Sequence, residues 1–122
     1  MKVGSRSMKR QTAKRLLDAL TATEKALRLS HGRSFAEYER DEYFRSAVER
    51  QLEIVSEALN LAARDDDEVE KRFPELPRIV GLRNKLAHGY DSVDDQVVWD
   101  TVAVDLPGLQ MRLVTLLDGV ID

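Results

Sequence analysis

Apolar residues recur along the chain at spacings of three and four, the repeat of helices that each bury one face. Ala13, Leu16, Leu17, Leu20 and Leu27, interrupted at Glu24, predict a first helix that Ser30, His31 and Gly32 stop. Ser34, followed three residues later by Glu37, has the form of a capping box, so a short helical entry begins there and leads into a longer second helix. Phe44, Val48, Leu52, Val55, Leu59 and Ala62 share one face of that helix, and Ile54, Ala58 and Leu61 widen it. A face that broad predicts a central helix with more than one neighbour. Asp65, Asp66 and Asp67 suit a helix N-terminus, where carboxylates complement free N–H groups and the macrodipole, and a short turn runs on to about Phe73. Pro77 fits the first turn of a third helix carrying Ile79, Val80, Leu82 and Leu86, with Gly89 in the place of a left-handed cap. Beyond the polar residues 91–95, a last stripe runs through Val97, Val98, Val102, Leu106, Leu109, Leu113, Leu116, Leu117 and Val120. Pro107 must kink or restart it, because proline lacks the N–H and clashes one turn back.

No segment alternates apolar and polar residues as a half-buried strand does, so the fold class is all-α, an up-and-down bundle of four to five helices. At 122 residues the chain closes one core, read as a single domain over 9–120 behind a flexible basic N-terminus at 1–8. Residues 1–7 are open to reading as a cloning remnant, with Met8 serving as a natural start. No apolar run reaches the length of a membrane span and the first residues lack a secretion signal, so a soluble, cytoplasmic protein is expected. With no cysteine, a disulfide framework, a thiolate nucleophile and a thiolate zinc site are excluded, two histidines leave little for a His-rich metal cage, and neither metal nor cofactor is expected.

The net charge of -3 conceals an uneven distribution. Lys2, Arg6, Lys9, Arg10, Lys14 and Arg15 precede any acid, whereas residues 91–122 hold seven aspartates against the single base Arg112. A basic start of this kind is either a solvated helix face or a contact for a polyanion.

Phosphate-binding glycine loops, His-Glu-x-x-His, Gly-x-Ser-x-Gly and EF-hand loops are all missing from the sequence. What remains is Arg83-Asn84-Lys85-Leu86-Ala87-His88-Gly89-Tyr90 at the end of the third helix. His88 can move a proton near neutral pH, and the planar fork of Arg83 can hold a phosphate and stabilise charge developing on it. Asn84 can orient the imidazole or a phosphate oxygen. Five helical steps turn about 500°, so Arg83 and His88 point about 140° apart and converge best across a cleft between two copies of the chain. The structural alternative is simple: His31 also precedes a glycine, and a cationic ring at a helix C-terminus favours the dipole. Thirteen arginines and two histidines produce an Arg-x4-His pair by chance about 0.2 times, so the spacing alone is weak. Tyr90 and Lys85 alone read as a packing residue with a wet hydroxyl and as solvated surface.

The octapeptide resembles the Arg-x4-His-x-Tyr motif of the HepT family, formerly DUF86, within the HEPN superfamily. Similarity extends through Ser34-Phe35, Asp41-Glu42, residues 48–58, Phe73-Pro74-Glu75-Leu76-Pro77, Ile79-Val80-Gly81, Val98-Trp99 and Asp105-Leu106-Pro107, so it covers about residues 9–118. The resemblance implies a HEPN-like bundle that dimerises and acts as the metal-independent endoribonuclease toxin of a type VII toxin-antitoxin pair. It implies catalytic roles for Arg83 and His88, support from Asn84, and silencing through adenylation of Tyr90 by a minimal nucleotidyltransferase antitoxin of the MNT type. With RNA as substrate, Lys85, Arg78, Lys14 and Arg10 become phosphate contacts, and no membrane is involved. The alternative within the same superfamily is a catalytically inactive helical module that binds the nucleotidyltransferase.

Overall fold

The computed structural model describes residues 8–87 and 94–119, and among them the chain forms helices and turns with no strand. The elements are α1 (Arg10–Ser30), α2 (Phe35–Arg40), α3 (Glu42–Asp65), α4 (Asp67–Arg72), α5 (Leu76–Ala87), α6 (Asp95–Asp100) and α7 (Leu106–Asp118). A π-helical turn, Thr101–Asp105, joins α6 to α7 without a break. Three long helices and this composite rod make the all-α bundle expected from the periodicity. No helix among the described residues is long and apolar enough to cross a membrane.

α1 and α3 form the most extensive packing in the molecule, an antiparallel pair. Lys9 Nζ donates to the Asp65 carbonyl at 3.1 Å, and Arg15 Nε meets the Asp65 carboxylate at 2.9 Å, so the start of α1 is tied to the end of α3. The buried face of α1 is Thr12, Ala13, Leu16, Ala19, Ala22, Thr23 and Ala26. It differs from the leucine stripe: Leu17 is 44% exposed, and Leu20 and Leu27 are only partly buried. Periodicity weights side chains by hydrophobicity, whereas the closest approach of two helices is set by side-chain size, and alanine admits the partner helix where leucine holds it off. On α3 the expected stripe is buried, from Phe44 through Val48, Leu52, Val55 and Leu59 to Ala62, and of the residues that widen it Ala58 is buried while Ile54 and Leu61 are partly so. This helix is central, meeting α1, α2, α4 and α5.

The capping signals operate as their chemistry requires. Ser34 Oγ accepts from the Glu37 N–H at 3.2 Å, and Glu37 Oε1 accepts from the Ser34 N–H at 3.0 Å, starting α2. That bond and the neighbouring Arg33 hold the Glu37 carboxyl below its ordinary pKa. Asp41 caps α3 through the N–H groups of Tyr43 and Phe44, and Asp66 caps α4, a six-residue helix where the sequence suggested only a turn. His31 and Gly32 end α1, with Gly32 in the left-handed region at φ 73°. Pro107 lies in the first turn of α7. The π turn before it widens the ladder, so that the Leu106 N–H reaches back five residues to the Thr101 carbonyl. A wider turn relieves the clash and the missing donor that proline imposes. Pro107 therefore restarts the helix without a break in the rod.

Two ion pairs pin the start of α5 to this rod: Arg78 meets Asp105 at 2.6 Å, and Arg112 of α7 donates to Glu75, which is 6% exposed. At the other end, Tyr38, Phe44 and Trp99 pack ring against ring with centroids 5.5 to 6.0 Å apart, closing α2, α3 and α6 together. The Arg33 guanidinium lies 4.0 Å over the Phe44 ring. Removing Arg112 strands a buried carboxylate, a costly state even with one partner partly solvated. Arg112→Ala is expected to lower stability by about 2 kcal/mol in urea denaturation. Adding Glu75→Gln should recover part of the loss, because a neutral amide is cheaper to bury; an unchanged midpoint in the single variant would refute the role of the pair.

Candidate functional site

The motif helix is fixed by its apolar side. Leu76, Ile79 and Leu82 of α5 are buried against the core and Leu86 is partly buried, spacings that fasten one face. Pro77 occupies the first turn, where its missing N–H costs nothing. Helical backbone continues through Arg83 to Ala87, which places Arg83 one residue after buried Leu82 and in the last turn and a half of the helix. Asn84 and Lys85 are exposed. His88, Gly89, which was expected as the cap, and Tyr90 lie outside the described residues, as does the side chain of Arg83.

Where α5 ends follows from what holds its beginning. Glu75 and Arg78 meet the rod at Arg112 and Asp105, and α5 packs along α3. Twelve helical residues rise about 18 Å, close to the roughly 15 Å separating Asp105 from Asp95 along the rod. The chain must return from Ala87 to Asp94 in seven steps, a reach of at most about 25 Å. The C-terminus of α5 is thus brought to the end of the bundle where α6 starts and where α2 meets α3. Asp94 opens α6 there, accepting from the Gln96 N–H at 2.8 Å. Helix C-termini present free carbonyls and partial negative charge, so a phosphate arriving here gains nothing from the backbone and depends on cationic side chains.

Beside this end lies a group of titratable side chains that periodicity did not single out. Tyr38 is fully buried, with its hydroxyl directed at the Glu49 carboxylate. Burial raises its pKa, with the Glu49 and Asp95 carboxylates pushing the same way. Glu49, on α3, is itself held above the ordinary carboxylate range, first by burial and then by Asp95, with Glu53 adding and Arg45 opposing. Arg45 is occupied in turn with the Tyr38 and Glu39 carbonyls. Only the helical phase of Glu49, one position past the buried Val48, hinted that it lies at the edge of the core. No cluster of three or more His, Cys, Asp or Glu side chains suited to a metal ion occurs among the described residues.

The basic residues proposed for RNA separate into two groups. Arg10 and Lys14 stand at the start of α1, which the Lys9 and Arg15 bonds fix to the far end of α3, away from the motif. Lys14 is 3.4 Å from Asp18, and both are well exposed. Arg78 keeps 69% of its side chain exposed while pairing with Asp105, and Lys85 is on the motif helix itself. The structure therefore brings Lys85 to the motif, places Arg78 at the opposite end of α5, and leaves Arg10 and Lys14 most of the length of α3 away.

Glu49 also gives a pH signature. Its folded pKa exceeds the unfolded value, so the folded state binds the proton more tightly and loses stability as pH rises from the ordinary glutamate range to the raised folded value. Glu49→Gln should therefore be more stable than the parent at neutral pH. That advantage should vanish below about pH 4, as read from urea midpoints at the two pH values. A difference of the same size at both would contradict the placement of Glu49.

A profile of the family described as Ribonuclease HepT-like matches residues 19–116, from the middle of α1 into α7 and across the whole motif. The chain is 33% identical over 105 residues to the probable ribonuclease HepT of Thermococcus cleftensis, covering 84% of this chain and 93% of that protein. It is 32% identical over 107 residues to a candidate RNase of Methanocaldococcus jannaschii, covering 86% and 95%. A candidate RNase of Caldanaerobacter subterraneus is 30% identical over 86 residues, covering 70% and 76%. No solved structure matches the chain significantly. Helical bundle, motif helix and near full-length similarity agree, and the chain belongs to the HepT-like ribonuclease family and is, by that membership, an endoribonuclease.

Proposed function

We propose that this endoribonuclease is the toxin of a toxin-antitoxin pair, working in the cytoplasm as a homodimer and needing no metal. The observation that carries the reading is the complete set Arg83, Asn84, His88 and Tyr90 within the matched region, the first two on a helix whose other face is anchored in the core. RNA supplies its own nucleophile, since the 2′-hydroxyl adjoins the phosphate and needs only alignment and proton transfer. The 2′-oxygen attacks phosphorus while an imidazole takes its proton. The bond to the 5′-oxygen breaks, and a proton returns to that oxygen, leaving a 2′,3′-cyclic phosphate and a 5′-hydroxyl. Two copies of His88 across a dimer cleft can serve as base and acid, Arg83 steadies the added charge on the phosphate, and Asn84 orients the reacting groups. Exposed Val97, Val104, Met111 and Val114 along the rod offer apolar surface for the second copy.

Regulation enters at Tyr90. Its hydroxyl would attack the α-phosphate of ATP held by an MNT-type nucleotidyltransferase, releasing pyrophosphate and leaving adenylate on the tyrosine. Bulk and negative charge two residues from His88 would then repel the substrate phosphate.

Purified protein incubated with total RNA and a chelator should cleave it, leaving 2′,3′-cyclic phosphate ends. His88→Ala and Arg83→Ala should each lower the rate by at least about a hundredfold. Cleavage that survives either substitution, or is absent from every preparation, would sink the assignment. Mass spectrometry after incubation with the nucleotidyltransferase and ATP should find one added adenylate, absent from Tyr90→Phe.

A further inference from the structure

On the side of α3 away from α5, but at the same end of the bundle as the C-terminus of α5, α1 and α3 enclose a shallow groove of about 460 Å³. Lys25, Arg28 and Leu29 line it from the last turns of α1, and Ala47, Arg50 and Gln51 from the first half of α3. Three of the six lining residues are cations and none is an acid, in a chain whose net charge is -3. Several cations elsewhere are paired, Lys14 with Asp18, Arg15 with Asp65, Lys71 with Glu68, Arg78 with Asp105 and Arg112 with Glu75, while Arg10, Arg40, Arg64, Arg72 and Lys85 are unpaired among the described residues but line no common furrow with one another. Among the described residues Lys25 and Arg28 make no ion pair, and Arg50 has only a 3.6 Å approach to Glu53 with 69% of its side chain exposed. Three like charges facing one furrow repel one another, a cost that a bound polyanion removes.

We infer that this groove is a second contact for the substrate, holding the phosphodiester backbone of single-stranded RNA away from the scissile bond; the inference rests on the ribonuclease reading above. Its volume suits about one nucleotide. Lys25 and Arg28, three residues apart, share one face of α1 and reach toward Arg50 across the furrow, a spacing suited to successive phosphates. Leu29 and Ala47 give a base an apolar floor without an aromatic ring, so binding is dominated by phosphate and tolerant of sequence. A larger hollow between the same helices shares Lys25, Arg50 and Gln51 with the groove and adds Arg15, Asp18, Glu53 and Glu57, so mixed charge ends the track there.

The test uses full-length protein carrying His88→Ala, so that RNA is bound without being cut, and reads fluorescence anisotropy of a labelled single-stranded RNA of about 12 nucleotides. Adding Lys25→Ala and Arg28→Ala should weaken binding about tenfold at about 0.1 M salt and reduce the slope of log affinity against log salt by about 1.4, two phosphate contacts on a single strand. Arg50→Ala should remove about half as much of the slope. Lys71→Ala with Arg72→Ala deletes the same charge on α4 and should bind as the parent does. Groove variants that bind RNA like the parent, or a control that weakens it equally, overturn the inference. So do groove variants that keep RNA but lose the complex with the nucleotidyltransferase, because the furrow is then a protein contact. If wild-type protein cleaves RNA while the groove variants bind normally, the groove alone is refuted; if no preparation binds or cleaves RNA, the ribonuclease reading itself falls.

Discussion

The close packing of α1 on α3 sets the geometry on which the other helices depend. Alanines and threonines on α1 let the two backbones approach, and the pair is locked in register by Lys9 and Arg15 on Asp65. With that register fixed, the last turns of α1 stand level with the first half of α3, and the broad apolar face of α3 still has room for α2 at one end and α5 along its length. A leucine facing α3 in place of Ala19 or Ala26 would separate the pair and disturb every contact built on it.

The end of α5 is positioned indirectly. Glu75 and Arg78 fasten its start to Arg112 and Asp105, and buried Ile79 and Leu82 set its rotation. The rod in turn owes its straight passage over Pro107 to the π turn. Residues far from the motif therefore decide where the last turns of α5 lie, and disturbance of the Glu75 pair would propagate along α5 as a rigid shift.

Charge is organised by place more than by amount. Several cations are tied to carboxylates, while the last turns of α1 and Arg50 of α3 leave a small basic surface at the motif end. The basic N-terminus, prominent in the linear sequence, begins at the other end of α3. An acidic group around Tyr38, Glu49 and Asp95 lies beside the start of α6, so the motif end has basic surface on one side of α3 and acidic surface on the other.

The sequence by itself determined the elements and the chemistry at hand. Spacings of three and four, the Ser34–Glu37 box, the aspartate caps and Pro77 act within one or two turns, so local physics settles them. The motif at residues 83–90 was legible for the same reason, since it is contiguous. The buried face of α1 was legible only in part: Ala13 and Leu16 are buried as expected, but Leu17 is exposed and Ala19, Ala22 and Ala26 take the close contact, because small side chains lose in hydrophobicity and win in helix approach. Likewise the passage over Pro107 depended on a widened turn that no residue type announces. Lys25, Arg28 and Arg50, or Tyr38, Glu49 and Asp95, are ordinary surface residues in linear order; only the antiparallel register of α1 and α3 and the return of the chain into α6 bring each group together. Their meaning comes from separation in space, which the tertiary packing alone decides.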